Sequence, residues 1–207
     1  SNNNNTTPAD PYLTTTSGTT WEYKTHDNVS GADTSSITTS TNKDTTMFGK
    51  TYHMFTDMNV ETSQTDTSYM SQIGNDYYQL ASLSAQIDAF EMKYLSSTAA
   101  VGESWTNSLS TTTSGATITA TIKNTIEERG STVTIGSKTY TNVIKVKTEI
   151  TNANIQISLP IVGTQNITPT IVQDVHSYFA PKYGMVKSDY KLKIDAQIPL
   201  QGAINIV

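Results

Sequence analysis

Apolar and polar residues alternate with a period of two along much of the second half of the chain, the mark of strands with one face covered and one face wet. Over residues 116–126, Ile118, Ala120, Ile122 and Ile126 fall on one face, with Thr117, Thr119, Thr121 and Lys123 on the other. Over 140–150, Tyr140, Ile144, Val146 and Ile150 share a face opposed by Lys145, Lys147 and Glu149. Over 186–198, Val186, Tyr190, Leu192, Ile194, Ala196 and Ile198 alternate with Lys187, Asp189, Lys191, Lys193 and Asp195. That pattern predicts a half-buried strand whose lysines also blunt edge pairing.

The first half repeats the pattern more weakly. It predicts strands over 20–26, 36–41, 52–58, 65–73, 77–82, 86–94 and 104–110. One stretch reads two ways. Leu80, Leu83, Ile87, Phe90 and Tyr94 fit helical spacing with Ser84 as a cap, whereas Phe90, Met92 and Tyr94 fit one strand face. The neighbouring strands favour strand, with one short helix as the alternative.

Turn residues separate these runs: Gly74-Asn75-Asp76, Glu128-Arg129-Gly130-Ser131, Gly136-Ser137-Lys138 and Pro181-Lys182-Tyr183-Gly184. Short connections between strands make hairpins. No fixed-period repeat suggests a solenoid or propeller. About ten strands in succession do not stay flat, so they curl or split into two layers. The expected fold class is all-β: a long antiparallel meander curled into a barrel-like or two-layer structure.

Composition fits this picture. Hydrophobic residues are 35% and charged residues 15% of 207. The balance is made up by Ser, Asn and above all Thr, about one residue in six, which suits a pleated, half-exposed surface. Net charge is −5 and Arg129 is the single arginine. Without a clustered basic face, nucleic acid and anionic lipid headgroups are not expected partners. The chain has no cysteine, which excludes disulfides, thiolate nucleophiles and Cys-ligated zinc. No apolar run reaches the roughly 18 residues of a membrane-spanning helix.

The opening Ser1-Asn2-Asn3-Asn4-Asn5-Thr6-Thr7-Pro8 is too polar to fold by itself. Residues 1–17, with Pro8 and Pro11, are therefore expected to form a flexible tether, and 18–207 a single β domain. A precursor with a lipid-modified Cys just before Ser1 is expected, the polar linker holding the domain off a membrane. The alternatives are an arbitrary boundary or a plainly secreted protein.

Three aromatic and glycine patterns carry a resemblance. They are Gly18-Thr19-Thr20-Trp21-Glu22-Tyr23, Val101-Gly102-Glu103-Ser104-Trp105-Thr106, and the pair Lys138-Thr139-Tyr140-Thr141-Asn142-Val143-Ile144-Lys145-Val146 with Tyr178-Phe179-Ala180-Pro181-Lys182-Tyr183-Gly184-Met185-Val186-Lys187. In that order they resemble uncharacterised bacterial secreted proteins and lipoproteins with an antiparallel β-meander domain, the TapB-like group. The resemblance implies a fold and a secreted or cell-envelope location, and transfers no site residue.

Candidate chemistry is sparse. Asp174 and His176 share a strand face with Tyr178 and could serve as two zinc ligands or a base–orienter pair. A surface hydrogen-bonded pair is the simpler reading. The remaining histidines are His26 and His53. Glu127-Glu128 and Asp57-Met58-Asn59 lack the spacing of a calcium loop and read as solvated charge. No serine stands in a nucleophile motif, and no phosphate-binding glycine loop is present. Trp21, Trp105, Tyr77, Tyr78 and Phe179 could stack on a ligand, but are expected to be core.

No catalytic, cofactor-binding or metal-ligating residue is assigned. The expectation is a non-enzymatic, monomeric binding or structural module of the cell envelope, holding a hydrophobic or glycan ligand in the curled sheet. The alternatives are a protein-interaction or adhesion module, and a hydrolase with an unfamiliar site. The first requires a sizeable cavity, the second an exposed apolar patch or open edge, the third converging titratable groups.

Overall fold

The computed structural model describes residues 10–81, 89–113, 116–159 and 163–196. Twelve strands run in order: β1 Thr20–His26, β2 Asp33–Met47, β3 Lys50–Asn59, β4 Thr65–Ile73, β5 Asp76–Ala81, β6 Phe90–Ser96, β7 Ser104–Thr113, β8 Ala116–Ile135, β9 Lys138–Leu159, β10 Gly163–Ile167, β11 Thr170–Ala180 and β12 Gly184–Asp195. They form two antiparallel sheets, one of them curled into a half-barrel. The all-β reading therefore holds.

The first sheet is a plain meander, β1 through β6 in sequence order. The second has the order β12-β11-β9-β8-β7, and β10 also pairs with β9. The 22-residue β9 is long enough to serve two neighbours on one side. Its first half pairs with β11 and its last residues with β10. Where it leaves β11, Gln173 replaces the lost ladder: its Nε2 donates to the Ile150 carbonyl at 2.8 Å and its Oε1 accepts from the Ile150 amide at 2.6 Å.

Several expectations change. Segment 80–94 contains strand where it is described, in β5 and β6, and Leu83, Ser84 and Ile87 lie outside the described residues. Glu128-Arg129-Gly130-Ser131 is no turn. β8 runs through it, with register shifts between Ile126, Glu128, Ser131 and Val133 and Gly130 at a φ of 68°. A bulge absorbs the glycine and bends the β8–β9 hairpin; the hairpin turns only at Gly136-Ser137.

The tether boundary at residue 17 also needs correction. Tyr12 and Leu13 are buried members of the core, beside Phe55, Tyr77, Tyr94, Leu95, Ile126, Ile144, Val146 and Phe179. The Tyr12 amide donates to Tyr77 Oη at 3.0 Å, and Tyr12 Oη donates to the Asn142 carbonyl at 2.9 Å. The Lys182 amide donates to the Pro11 carbonyl at 2.7 Å, and Thr14 Oγ1 donates to the Lys182 carbonyl. Residues 10–14 form a strap across one end of the two sheets. Two adjacent apolar residues outside any periodic pattern suffice to anchor it.

Candidate functional site

The sheets meet along one side and part along the other. On the meeting side, β6 and β7 are joined by side chains instead of a backbone ladder. The Lys93 carbonyl accepts from Trp105 Nε1 at 2.7 Å, Asn107 Nδ2 at 3.1 Å and Asn124 Nδ2 at 3.2 Å. Thr148 Oγ1 donates to Asn124 Oδ1 at 2.7 Å, so the buried amide of Asn124 is used at both ends. This seam fixes the spacing of the inner faces.

On the parting side, the edge strands β1 and β12 stand apart, and a cleft of about 1800 Å³ opens between the sheets. Its walls are apolar toward the seam and strap: Phe55, Met70, Met92, Tyr94, Val146 and Phe179. Small polar groups, Ser36, Thr38, Ser68, Gln79 and Ser177, are interspersed. Toward the end away from the strap the cleft meets an apolar recess of about 190 Å³, walled by Ala81, Phe90, Ile122, Ile150 and Val175. Met92, Thr148 and Leu192 border both spaces, so the apolar recess adjoins the cleft.

One hydrogen bond spans the mouth, and an aromatic contact within the second sheet lies beside it. Tyr23 Oη of β1 donates to the Met185 carbonyl of β12 at 3.0 Å. The tip of the β8–β9 hairpin brings Val133 and Ile135 to the cleft, and Tyr140 meets Tyr183 edge-on at 5.2 Å. Lys138 Nζ caps Tyr183 at 3.9 Å from the ring centre. Burial pushes the Tyr23 hydroxyl up to about 12, helped by the negative charge of Asp57 and by Tyr140. Burial likewise raises the Tyr94 and Tyr12 hydroxyls.

Beyond the mouth, β12 departs from its sequence pattern. Tyr190, Leu192 and Ile194 share the inward face, yet Tyr190 is 67% exposed and the other two about half exposed. Strand β12 is the last of its sheet and extends past the cover supplied by the facing one. The residues expected to be half-buried are thus an apolar rim. Ile198 lies outside the described residues.

The aromatic candidates divide. Tyr77 and Phe179 are buried; Trp21 and Trp105 pack against the core. Trp21 and Phe179 also line the cleft. Tyr78 is on the outer face of its sheet, beneath Lys50 Nζ at 4.6 Å, and is not core.

Asp174 and His176 do share a face, with Nδ1 to Oδ1 at 3.7 Å, and β8, one strand beyond β9, supplies Glu127, 3.2 Å from His176 Nε2. Glu127 also binds Lys145 at 3.0 Å. The four make an ion-pair cluster on the outer face. Among the described residues no His, Asp or Glu group of three is arranged to hold a metal ion.

One constellation had no sequence signal. His53 Nε2 lies 2.9 Å from Ser40 Oγ, and its Nδ1 lies 2.7 Å from Asp44 Oδ1. The order resembles a nucleophile, base and orienter. Ser40 is only 1% exposed, and neither it nor His53 lines the cleft. The trio sits where the β2–β3 register slips between Ser40 and Asp44 and holds that irregularity. The residues are 4 and 13 apart from Ser40 in sequence, so only the fold unites them.

No protein-family model, no curated protein and no solved structure matches this chain.

Proposed function

We propose that this protein is a non-enzymatic binding module that holds an elongated, largely apolar ligand between its two sheets. The observation that carries the reading is the cleft of about 1800 Å³ with an apolar recess adjoining it. Its size exceeds the few hundred to about 1,000 Å³ of common small-molecule sites. Its deep apolar wall of Phe55, Met70, Met92, Tyr94, Val146 and Phe179 favours an alkyl or polyisoprenoid chain, with charged side chains such as Glu22, Asp57, Lys187 and Asp189 left to meet a polar head. The secreted, cell-envelope placement rests on the sequence resemblance and is part of the same proposal.

The test is saturable binding of the neutral fluorophore N-phenyl-1-naphthylamine and its displacement by decanol. Saturation near one probe per chain and full displacement are expected. A linear, non-saturating signal would overturn the reading.

A second reading is a protein-interaction role for the β12 edge. The exposed Tyr190, Leu192 and Ile194 beside an open ladder favour it. Changing Ile194, which lines neither space, to Ser weakens a partner complex under that reading, and leaves probe binding in the cleft largely intact.

A further inference from the structure

We propose that the cleft recognises a cationic head, an ammonium or quaternary ammonium group seated over Thr38 between Trp21 and Asp57. The inference rests on the reading of the cleft as a ligand site and adds the chemistry of the head group.

Trp21 stands opposite Thr38, and Thr38 opposite Asp57, in one row across the inner face of β1, β2 and β3. Two strand spacings place the Trp21 and Asp57 Cα atoms about 10 Å apart, with the short Thr38 as the floor between them. Tyr23 follows Trp21 by two residues, and Phe55 precedes Asp57 by two, so both lie on the same face. The Trp21 and Phe55 ring centres are 6.1 Å apart. Trp21, Tyr23, Phe55 and Asp57 therefore line one stretch of the cleft wall around Thr38. Aromatic faces carry negative charge density and attract a cation, tryptophan most strongly.

The carboxylate has charge to offer. Thr38 Oγ1 donates to Asp57 Oδ1, which leaves further acceptor sites on the carboxylate. Among the described residues no Lys, Arg or His forms an ion pair with Asp57. Two rim lysines are engaged elsewhere, Lys24 with Glu22 at 3.8 Å and Lys187 with Asp189 at 2.7 Å, and the third, Lys191, lies on the far edge strand β12 and forms no ion pair with Asp57. Across the ladder Asp57 faces Asp66, a like-charge pair that costs stability until a cation neutralises it. An anionic head would be repelled by the same two carboxylates. The apolar wall of the cleft and the recess adjoining it suit the tail of a single cationic amphiphile.

Three ten-carbon amphiphiles with one tail test this: decyltrimethylammonium, decanol and decyl sulfate. Each is titrated calorimetrically into the full chain below its micelle concentration, with wild type, Asp57→Asn and Trp21→Leu. In wild type the trimethylammonium compound is expected to bind about ten-fold tighter than the sulfate. Each substitution should remove most of that preference, read as the ratio of trimethylammonium to sulfate affinity within the same variant, so that a change in the affinity for decanol common to all three tails cancels. Equal affinity for all three heads in wild type overturns the head-group inference and leaves the cleft reading standing. A preference that persists in both variants overturns the assignment to Trp21 and Asp57. Failure of all three to bind overturns the cleft reading itself.

Discussion

The Tyr23 hydroxyl donates to the Met185 carbonyl at 3.0 Å, joining the free edge of one sheet to the free edge of the other. It is a single neutral hydrogen bond across the mouth of a large cleft. A bond of this kind contributes about 1 kcal/mol, little enough to open and reclose thermally. The seam on the opposite side, with three donors on one carbonyl, is the fixed hinge line by comparison.

Alkaline stability reports on that bond. The folded-state ionisation of Tyr23 lies at about 12, above the value of 10.0 for a free tyrosine. The proton is held more tightly in the folded state, so the stabilisation is complete below pH 10 and is lost as pH rises through about 12. Thermal unfolding between pH 9 and 12 should show a fall in Tm that is shallower in Tyr23→Phe. Parallel curves would mean that Tyr23 is not buried as described.

Truncating the strap should be costly. Tyr12→Ala removes a buried aromatic that also hydrogen-bonds Asn142, and a loss of about 3–5 kcal/mol in urea unfolding is expected. A loss below about 1 kcal/mol would restore the tether reading for residues 10–17.

At the seam, Trp105→Phe and Asn124→Ala remove two donors to the same Lys93 carbonyl. Each should cost about 1–2 kcal/mol. Their sum should not match the double variant, because the two share an acceptor. Strict additivity in a double-mutant cycle would show that the seam is not one network.

The Ser40–His53–Asp44 trio is expected to be chemically silent. A fluorophosphonate probe should leave the folded protein unlabelled because Ser40 Oγ is sealed from solvent. Stoichiometric labelling of Ser40 that is lost in His53→Ala would revive the hydrolase alternative.

Much of the sheet structure was legible in the sequence, because period-two patterning follows directly from alternating side-chain direction. β1 and β4 fall where the pattern places them. The cleft was not legible, because its walls break the rule that polar residues face water. In β2 the inner face carries Ser36, Thr38 and Ser40, while Ile37 points outward opposite Met58. Read by hydropathy, that strand turns inside out. Asp57 looked like solvated charge for the same reason. The Tyr12 anchor lay in a stretch whose other residues are polar, and the exposure of Tyr190 depends on how far the facing sheet reaches. Both are set by tertiary geometry, to which local alternation is blind.

The central claim, that the space between the sheets receives a long apolar ligand, is tested most directly by quenching of Trp21. Trp21 lines the cleft and Trp105 does not, so a Trp105→Phe variant leaves Trp21 as the single emitter. Titration with a bromine-labelled long-chain alcohol should quench that emission saturably, and a Met92→Trp substitution with Trp21→Phe, which fills the space where cleft and recess adjoin, should abolish binding of the same alcohol in calorimetry. Quenching that grows linearly without saturation, or binding unchanged by filling that space, would contradict the account.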